Sequence, residues 1–310
     1  MNQASSIDIQ RFSPLSFWKM HGCGNDFVVF EIKDPGITDG ELSALAVRLC
    51  NRNFGVGADG IIVGVPSDSE NLMMRIFNAD GSDGEMCVNG IRCFAKFYFD
   101  QGLLEKNAYT SGQMQIETTV GTVDVSVTFD AKHNLVDRAK VGLGRPDFEP
   151  EACGVSEDLT GDLLSVPVNY QSMSKVDVQL VSMGNPHAIS WLEAGTSVDD
   201  YPLNQVGPLV ETSQMFQHRT NFEVAEIIDE KRVRARVWER GVGETLACGS
   251  GACAVMASAR SRGLVSDIIE VEMPGGTLVI DWRSNDEITL EGAVTKVFDG
   301  CMDLGNGLLV

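Results

Sequence analysis

Two cysteines in this chain each end a near-copy of the same pattern. The first copy is RIFNADGSDGEMC, which ends at Cys87, and the second is RVWERGVGETLAC, which ends at Cys248. In both copies an arginine stands twelve positions before the cysteine and an aromatic residue stands ten before it. A run of small residues that can start a helix follows each cysteine. The sequence therefore carries one thiol site twice.

The spacing of the copies indicates an internal duplication. The arginines, aromatic residues and cysteines recur at one constant interval, and Gly24-Asn25 recurs as Gly184-Asn185 at an interval one residue shorter. An interval near half of 310 residues is expected from two fused, homologous halves. A chain of this length also commonly divides into two domains. We expect an N-terminal domain of residues 1–137 and a C-terminal domain of residues 138–297.

Composition restricts the class of partner. The chain has 24 basic and 44 acidic residues, a formal net charge of −20, which argues against a nucleic-acid groove and against docking on an anionic membrane. Its start lacks a signal-peptide pattern, and no run of 18 apolar residues occurs. We expect a soluble, cytoplasmic protein that binds a small molecule. In that compartment its eight cysteines indicate reduced thiols rather than a disulfide framework.

Short runs rich in β-branched residues predict strands, and longer apolar segments predict helices. The predicted strands are 27–32, 60–65, 115–119, 122–128, 176–182, 233–237, 268–273, 277–281 and 287–291, and the predicted helices are 41–51, 89–100 and 251–262. The last two helices have little polar surface, so each should be the buried central helix of its half. Glycine follows each of them as a stop signal. The two thiols then lie at helix N-termini.

This placement predicts an acid/base role for the thiols. A helix N-terminus offers unpaired N–H groups and a partial positive charge, which bind carboxylates and favour thiolate over thiol. If a pseudo-twofold axis relates the halves, the two sulfurs flank one small molecule, roughly 7 Å apart. One sulfur can then remove a proton from a carbon while the other delivers a proton to its opposite face. Such a pair inverts a stereocentre without a cofactor.

Three other interpretations fit less well. The segment GVGADG, residues 55–60, matches GxGxxG, but a predicted helix precedes it and a strand follows, the reverse of a dinucleotide fingerprint, so we interpret it as a tight turn. Zinc ligands usually come as CxxC pairs, whereas Cys87 and Cys93, and Cys248 and Cys253, are spaced by six and five. A thiol-disulfide redox module also lacks its CxxC. We therefore predict no metal and no cofactor.

Six ordered segments resemble the diaminopimelate epimerase family. They are FWKMHGCGNDFVVF, GVGADG, FNADGSDGEMCVNGIRC, MGNPH, RTNFEV and ERGVGETLACGSGA, which extend from residue 17 to residue 252. The resemblance implies an α/β (α+β) fold of two pseudo-symmetric domains. Each would be a mixed, mostly antiparallel sheet or barrel around a central helix, with the active site in the interdomain cleft. It also implies that residues 298–310 return to the first domain.

The same resemblance implies a function. It is that of a pyridoxal-independent isomerase that interconverts LL- and meso-2,6-diaminopimelate in lysine and peptidoglycan precursor synthesis, as a homodimer. It assigns acid/base roles to Cys87 and Cys248. The reacting carboxylate would meet the backbone N–H groups of Val88, Asn89, Gly249 and Ser250. The reacting amino group would lie near Asn25 and Glu239, and the distal end of the substrate would be held by Asn78, Asn185, Asn221 and Arg240. His187 would be structural, ordering the MGNPH loop.

Two residues depart from the family pattern. Val88 stands where glycine is usual, and a β-branched residue is strained at positive φ and makes a pocket tighter. Ser250 stands where threonine is usual and keeps the hydroxyl group. Two other functions stay open: a related racemase or epimerase of another amino acid, which would lack the distal clamp, and a binding protein that does not exchange the α-proton of its ligand.

Overall fold

The chain forms two compact units, each described separately below. The computed structural model describes residues 7–67, 72–84, 86–104, 111–155, 163–283 and 287–305. The first unit comprises Met1–Val141 and Ala293–Val310, and the second comprises Gly142–Gly292. The divisions expected from the sequence, at 137/138 and 297/298, lie close to these positions.

Strands dominate the described residues. In chain order they are β1 Leu15–Gly22, β2 Asn25–Glu31, β3 Gly60–Val65, β4 Leu72–Asn78, β5 Gln113–Thr118, β6 Gly121–Phe129, β7 Val136–Gly142, β8 Leu164–Tyr170, β9 Met173–Ser182, β10 Pro186–Trp191, β11 Asn221–Asp229, β12 Arg232–Glu239, β13 Gly243–Thr245, β14 Ile268–Met273, β15 Gly276–Asp281, β16 Thr289–Ala293 and β17 Thr295–Met302. The α-helices are α1 Asp39–Cys50, α2 Val88–Asp100, α3 Leu203–Glu211 and α4 Gly249–Ser261. Short 3₁₀ turns occur at Gln10–Phe12, Pro150–Cys153 and Val198–Asp200.

The two units repeat one sheet topology. The first has the strand order β17-β1-β2-β3-β4-β5-β6-β7, whose successive pairings are antiparallel, antiparallel, parallel, antiparallel, parallel, antiparallel and antiparallel. The second has the order β8-β9-β10-β11-β12-β14-β15-β16 with the same succession of senses. Helices α1 and α3 interrupt equivalent parallel pairs, and so do α2 and α4. The predicted duplication and mixed, mostly antiparallel α/β fold are confirmed.

A buried helix occupies the centre of each unit. In α2 the residues from Val88 to Phe99 are all buried, and the helix contacts β1, β2, β3, β4 and β6. Helix α4 is buried over most of its length and contacts β9, β10, β11, β12, β14 and β15. A helix with little polar surface needs such an enclosure. The glycines that follow these helices, Gly102 and Gly263, have φ of 71° and 69°, so the predicted stop signals are confirmed.

Helix α3 was not predicted from the sequence, because Gly207 and Pro208 lie inside it. Its glycine is required by packing. A Cβ atom added at Gly207 would lie 2.6 Å from Cγ of Trp238 in β12, so the helix backbone rests directly on the indole ring. At the helix end, Glu211 accepts hydrogen bonds from the Trp238 indole N–H at 2.7 Å and from the Gly241 backbone N–H at 2.8 Å. Helix α3 therefore fixes the loop that follows β12.

We predict that Gly207→Ala destabilises the protein by about 1–3 kcal/mol, because the added methyl group overlaps the Trp238 ring. The matched control is Gly40→Ala in α1, where the nearest atom to an added Cβ is 3.6 Å away. Better helix propensity should raise the free energy of unfolding of that variant by about 0.5–1 kcal/mol. Urea unfolding of both variants measures the difference. Equal stabilities would contradict the packing assigned to Gly207.

Candidate active site

Each of the two motif cysteines is the N-cap residue of a central helix. Cys87 precedes α2 with φ −138° and ψ 113°, and Cys248 precedes α4 with φ −115° and ψ 120°. These extended conformations are typical of N-caps, and the carbonyl oxygens of both cysteines accept the first intrahelical hydrogen bonds, from Ile91 and Ala252. The predicted placement of both thiols at helix N-termini is confirmed. Each thiol thus lies beside the first-turn N–H groups that attract anions.

In the first unit, Cys87 belongs to a cluster of polar side chains. Its Sγ donates to Oδ1 of Asn25 at 3.4 Å, and Nδ2 of Asn89 donates to the same oxygen at 3.4 Å. Asn25 reaches this position because a two-residue turn joins β1 to β2, with φ of 53° at Cys23 and 84° at Gly24. The structure therefore brings Asn25 together with Cys87 and Asn89, which were predicted from a different motif.

Asp59 fixes the orientation of the Asn25 amide. Its Oδ2 accepts from Nδ2 of Asn25 at 2.9 Å and from the backbone N–H of Asp26 at 3.0 Å, and its Oδ1 accepts from Arg52 at 2.7 Å. Because an ionised carboxylate only accepts hydrogen bonds, Asn25 must direct Nδ2 to Asp59 and Oδ1 to Cys87. Asp59 lies in the GVGADG segment, a turn with φ of 77° at Gly57 that leads into β3. The tight turn is confirmed, but sequence reasoning missed the aspartate.

A second ionic contact supports this turn. Lys19, although only 8% exposed, donates to the Asp26 carboxylate and to the Gly57 carbonyl oxygen. Arg52 donates to Oδ1 of Asp26 at 2.9 Å. Burial alone would raise the pKa of Asp26, but hydrogen bonds from Arg52 and Lys19 outweigh it and lower that pKa to about 2.

A buried arginine fixes Asn89. Nη2 of Arg92 donates to Oδ1 of Asn89 at 2.8 Å and lies 3.7 Å from Sγ of Cys23. Arg92 is completely buried, and burial lowers its pKa. With Oδ1 held by Arg92, the Asn89 amide directs its Nδ2 towards Asn25. An arginine inside a buried helix was a signal in the sequence that the motif analysis did not use.

In the second unit, carboxylates surround Cys248. Burial raises the pKa of the Cys248 thiol well above its ordinary value, and the charges of Glu239 and Glu223 raise it further. Contacts with the Ser250 hydroxyl and the Gly251 backbone N–H, both 3.4 Å from Sγ, act in the opposite direction. Burial also raises the pKa of Glu239, which accepts a hydrogen bond from Thr245. Both groups are therefore held towards their protonated forms.

A buried histidine of β10 contacts a buried glutamate of β11. Nδ1 of His187 is 2.7 Å from Oε1 of Glu223, and Nε2 of His187 is 3.1 Å from Oδ1 of Asn185. Both His187 and Glu223 are 0% exposed. His187 thus bonds to Asn185, within the MGNPH loop that it was expected to order. Glu223 was not singled out from the sequence, although a glutamate within a run of buried apolar residues in β11 is an unusual feature.

The residues assigned to the distal end of the substrate have distinct surroundings. The Asn221 amide donates to the Pro186 carbonyl and accepts from the Arg240 backbone N–H, each at 2.9 Å, so it joins β10 to the loop after β12. The Arg240 guanidinium is 3.4 Å from the His218 carbonyl oxygen. Asn78 is exposed at the end of β4 and donates to Ser82 Oγ at 3.0 Å.

Val88 is the first residue of α2 and is buried. Its φ is not among the positive values of the described non-glycine residues, so it carries no left-handed strain. The duplication places Gly249, the first residue of α4, at the equivalent position. At this first helical position the two units thus differ by one isopropyl group.

Within the ranges that the structure describes, no group of three or more His, Cys, Asp or Glu side chains is arranged to hold a metal ion. None of the helices in those ranges is long and apolar enough to cross a membrane.

Solved structures with this fold define a class of racemase- and epimerase-like proteins. A probable proline racemase from Agrobacterium radiobacter aligns with a TM-score of 0.66 at 14% identity, over 93% of each chain. A hydroxyproline epimerase from Agrobacterium vitis aligns with a TM-score of 0.64 at 12% identity, over 93% of this chain and 90% of that one. A PhzF-family protein from Bacillus anthracis aligns with a TM-score of 0.61 at 16% identity, over 93% and 98%. At these low identities, the structural alignments show a common fold alone.

Sequence comparison identifies the family. The family model described as diaminopimelate epimerase matches residues 17–148 and 179–297. The diaminopimelate epimerase of Acetivibrio thermocellus is 39% identical over 94% of this chain and 99% of its own length. That of Methanococcus maripaludis is 38% identical over 94% of this chain and its entire length. This chain belongs to the diaminopimelate epimerase family.

The ion pairs of Asp26 give a pH prediction. Because the folded pKa of about 2 lies below the ordinary 3.8, the stability that Asp26 contributes is present above pH 4 and is lost as the pH falls towards 2. We expect Asp26→Asn to lower the free energy of unfolding by about 1–2 kcal/mol at pH 6. The difference from the wild-type protein should shrink between pH 4 and pH 2.

Urea unfolding at a series of pH values measures this difference, with Asp200→Asn at an exposed position as the control. A difference between the wild-type and Asp26→Asn proteins that stays constant from pH 6 to pH 2 would contradict the assigned ion pairs.

Proposed function

We propose that this chain interconverts LL- and meso-2,6-diaminopimelate by two-base proton transfer between Cys87 and Cys248, without a cofactor. Membership of the family supports the substrate. The observation that carries the mechanism is that each thiol is the N-cap of a buried helix, in equivalent positions of two copies of one topology. Duplicated sites of this kind suit a reaction that treats the two faces of one carbon alike.

The helix starts provide a site for the reacting carboxylate. Backbone N–H groups of Asn89, Gly249 and Ser250, together with that of Val88, lie in the first helical turns, where N–H groups have no intrahelical acceptor. When the α-proton leaves, negative charge develops on the carboxylate. N–H groups already directed at that charge stabilise the transition state. Val88 is bulkier than Gly249, so we expect the two helix N-termini to bind the carboxylate unequally.

Acceptor groups suit the reacting amino group. Oδ1 of Asn25, held outward by Asp59, and the Glu239 carboxyl group both accept hydrogen bonds. The same Asn25 oxygen receives the proton of a Cys87 thiol. After Cys87 removes the α-proton of the substrate, its S–H group is held by Asn25 while the opposite thiol reprotonates the carbon.

The two thiols share one proton between them, so they titrate as a pair. The buried, acidic surroundings of Cys248 raise its pKa and favour its thiol form. One form of the pair carries the proton on Cys248, which its surroundings favour, and leaves Cys87 as the thiolate; the other form carries the proton on Cys87, where Asn25 accepts it. Epimerisation in one direction starts from the form protonated on Cys248 and ends in the form protonated on Cys87, and the reverse direction starts from the second form, so no net proton enters or leaves.

The distal end of diaminopimelate carries an ammonium group and a carboxylate. Amides, which both donate and accept, and a forked guanidinium suit this pair of charges. We assign Asn78, Asn185, Asn221 and Arg240 to this end. The reaction lies in lysine and peptidoglycan precursor synthesis, in the cytoplasm, where thiols stay reduced.

Deuterium exchange tests the proposed reaction. We expect the wild-type protein, incubated with LL-diaminopimelate in D₂O without added cofactor, to incorporate deuterium at the α-carbon and to form the meso isomer. Cys87→Ala and Cys248→Ala should each reduce both rates by roughly a thousandfold, since each removes one of the two bases. Mass spectrometry measures incorporation. Cys301→Ala, at an exposed cysteine of the first unit, is the control and should leave both rates unchanged.

The outcomes separate the competing functions. Label that enters equally in both alanine variants would reject the thiol assignment. Exchange with proline or another amino acid, but not with diaminopimelate, would favour the related racemase. Calorimetric binding of diaminopimelate without exchange would favour a binding protein.

We also propose a homodimer, as the family resemblance implies. Exposed apolar side chains on β17, Val297 and Phe298, are 55% and 46% exposed and provide a surface that association would cover. Light scattering after size exclusion should give twice the mass of one chain. Val297→Ser with Phe298→Ser should shift that mass towards the monomer, whereas a dimer unchanged by both would place the interface elsewhere.

A further inference from the structure

We propose that Glu223, acting through His187, is a positioning residue that holds the Asn185 amide with its Nδ2 group available to the distal carboxylate of the substrate. The inference rests on the proposed function, which places Asn185 at that end. Glu223 lies in the RTNFEV segment but has no role assigned from the sequence, and its contact with His187 gives the Asn185 amide a direction.

In this proposal the protons of His187 are assigned from its two partners. An ionised Glu223 carboxylate only accepts, so the contact of 2.7 Å calls for a proton on Nδ1 of His187. Nε2 of the same ring faces Oδ1 of Asn185, also an acceptor, at 3.1 Å. Both ring nitrogens therefore carry protons in this proposal, which makes the pair an imidazolium beside a carboxylate with no net charge.

This arrangement determines what Asn185 offers to a ligand. With Oδ1 held by the imidazolium, Nδ2 is the amide group directed away from His187. A neutral His187 would instead present a bare Nε2, which accepts and would attract Nδ2 of Asn185. The amide would then exchange the positions of its oxygen and nitrogen and direct the oxygen to the substrate, where it would repel a carboxylate. Glu223 opposes this reversal because its charge stabilises the imidazolium.

The equivalent asparagine of the first unit is held in the opposite sense. Asn25, the counterpart of Asn185 in the duplication, directs Nδ2 to Asp59 and leaves Oδ1 towards Cys87. One half of the duplication thus exposes an acceptor and the other a donor. An acceptor suits an ammonium group and a donor suits a carboxylate. One position of the duplicated sequence is thus proposed to offer a hydrogen-bond acceptor to the substrate in the first unit and a donor in the second.

The histidine and glutamate are specific to the second unit. At the intervals of the duplication their counterparts are Phe27 and Ile62, both buried apolar residues. The glycine above this position is present in both halves. A Cβ at Gly90 would lie 3.0 Å from Ile62, and one at Gly251 would lie 2.7 Å from Oε1 of Glu223. The same space therefore holds an apolar side chain in one unit and a charged one in the other.

Stability alone does not account for this pair. Oε2 of Glu223 is buried and has no hydrogen-bond partner among the described residues. A buried ion pair with an unsatisfied oxygen is commonly no more stabilising than apolar residues of similar volume, which the first unit retains. A function in orienting Asn185 gives the pair a reason to be present.

The central test compares Glu223→Gln with Glu230→Gln, an exposed glutamate of the same unit. Without the carboxylate we expect His187 to lose a ring proton and Asn185 to reverse. KM for diaminopimelate should then rise about 10- to 100-fold, the effect of losing one hydrogen bond to a charged group, while kcat, which the Glu223 charge affects only through the Cys248 thiol, should change by a smaller factor. Glu230→Gln should change neither constant. A fall in kcat with KM unchanged would overturn the proposal.

A spectroscopic measurement on the wild-type protein does not depend on any variant folding. The ¹⁵N shifts of the His187 ring at pH 7 should report protons on both nitrogens, and those of Glu223→Gln should report one. A wild-type ring with a single proton would overturn the proposal. This readout is independent of turnover, so absence of deuterium exchange would reject the proposed function while the state of His187 is still measured.

Discussion

The interaction on which both units depend is the start of a buried helix at a cysteine. Helices α2 and α4 are almost completely enclosed by strands, so most of their backbone groups are satisfied within the helix. The first turn is the exception, because its N–H groups have no acceptor inside the helix. In α4 one of them, from Gly251, is directed at the sulfur of Cys248. The N-terminus of a buried helix is therefore a polar position in an apolar interior, and the thiol lies at that position.

The duplication gives each unit a cysteine at the start of a buried helix. The residues that surround the two cysteines differ. In the first unit Cys87 lies beside two amides that Asp59 and Arg92 hold in fixed orientations. In the second unit burial, and then the charges of nearby carboxylates, raise the pKa of Cys248. The backbone topology is the same in both units, so the difference in chemistry comes from a few side chains that point at the helix start.

The sequence predicted the elements whose signals are local. Strands β3 and β14 begin and end at the predicted residues, and both central helices and their glycine stops were found. Helix α3 was missed because propensity disfavours Gly207-Pro208, whereas packing on Trp238 requires the glycine. Tertiary packing overrides propensity in such cases.

The residues of the candidate site also divide into those that the sequence indicated and those that it did not. Spacing and motifs indicated Cys87 and Cys248, since the duplication is visible along the chain. Asp59 and Glu223 could not be recognised by spacing, because each acts on a partner that is distant in sequence and only the fold brings the two together. Arg92 acts on a neighbour in its own helix, but that contact has no fixed motif. A charged residue inside an apolar run was the available signal for Arg92 and Glu223, and it reports burial rather than a partner.

The two halves of the chain differ, although the proposed reaction treats the two faces of the substrate carbon alike. In the proposed reaction the substrate carbon is approached from two equivalent helix starts, but diaminopimelate itself has a distal end that must be bound on one side. Two identical halves could not distinguish that end from the reacting one. A buried histidine and glutamate in one unit, where the other has phenylalanine and isoleucine, break the equivalence without altering the backbone that holds the thiols. Gly251 and Gly90 still occupy equivalent positions at the two helix starts. Asymmetry in recognition can thus be added to a duplicated fold while both thiols keep their places at the helix N-termini.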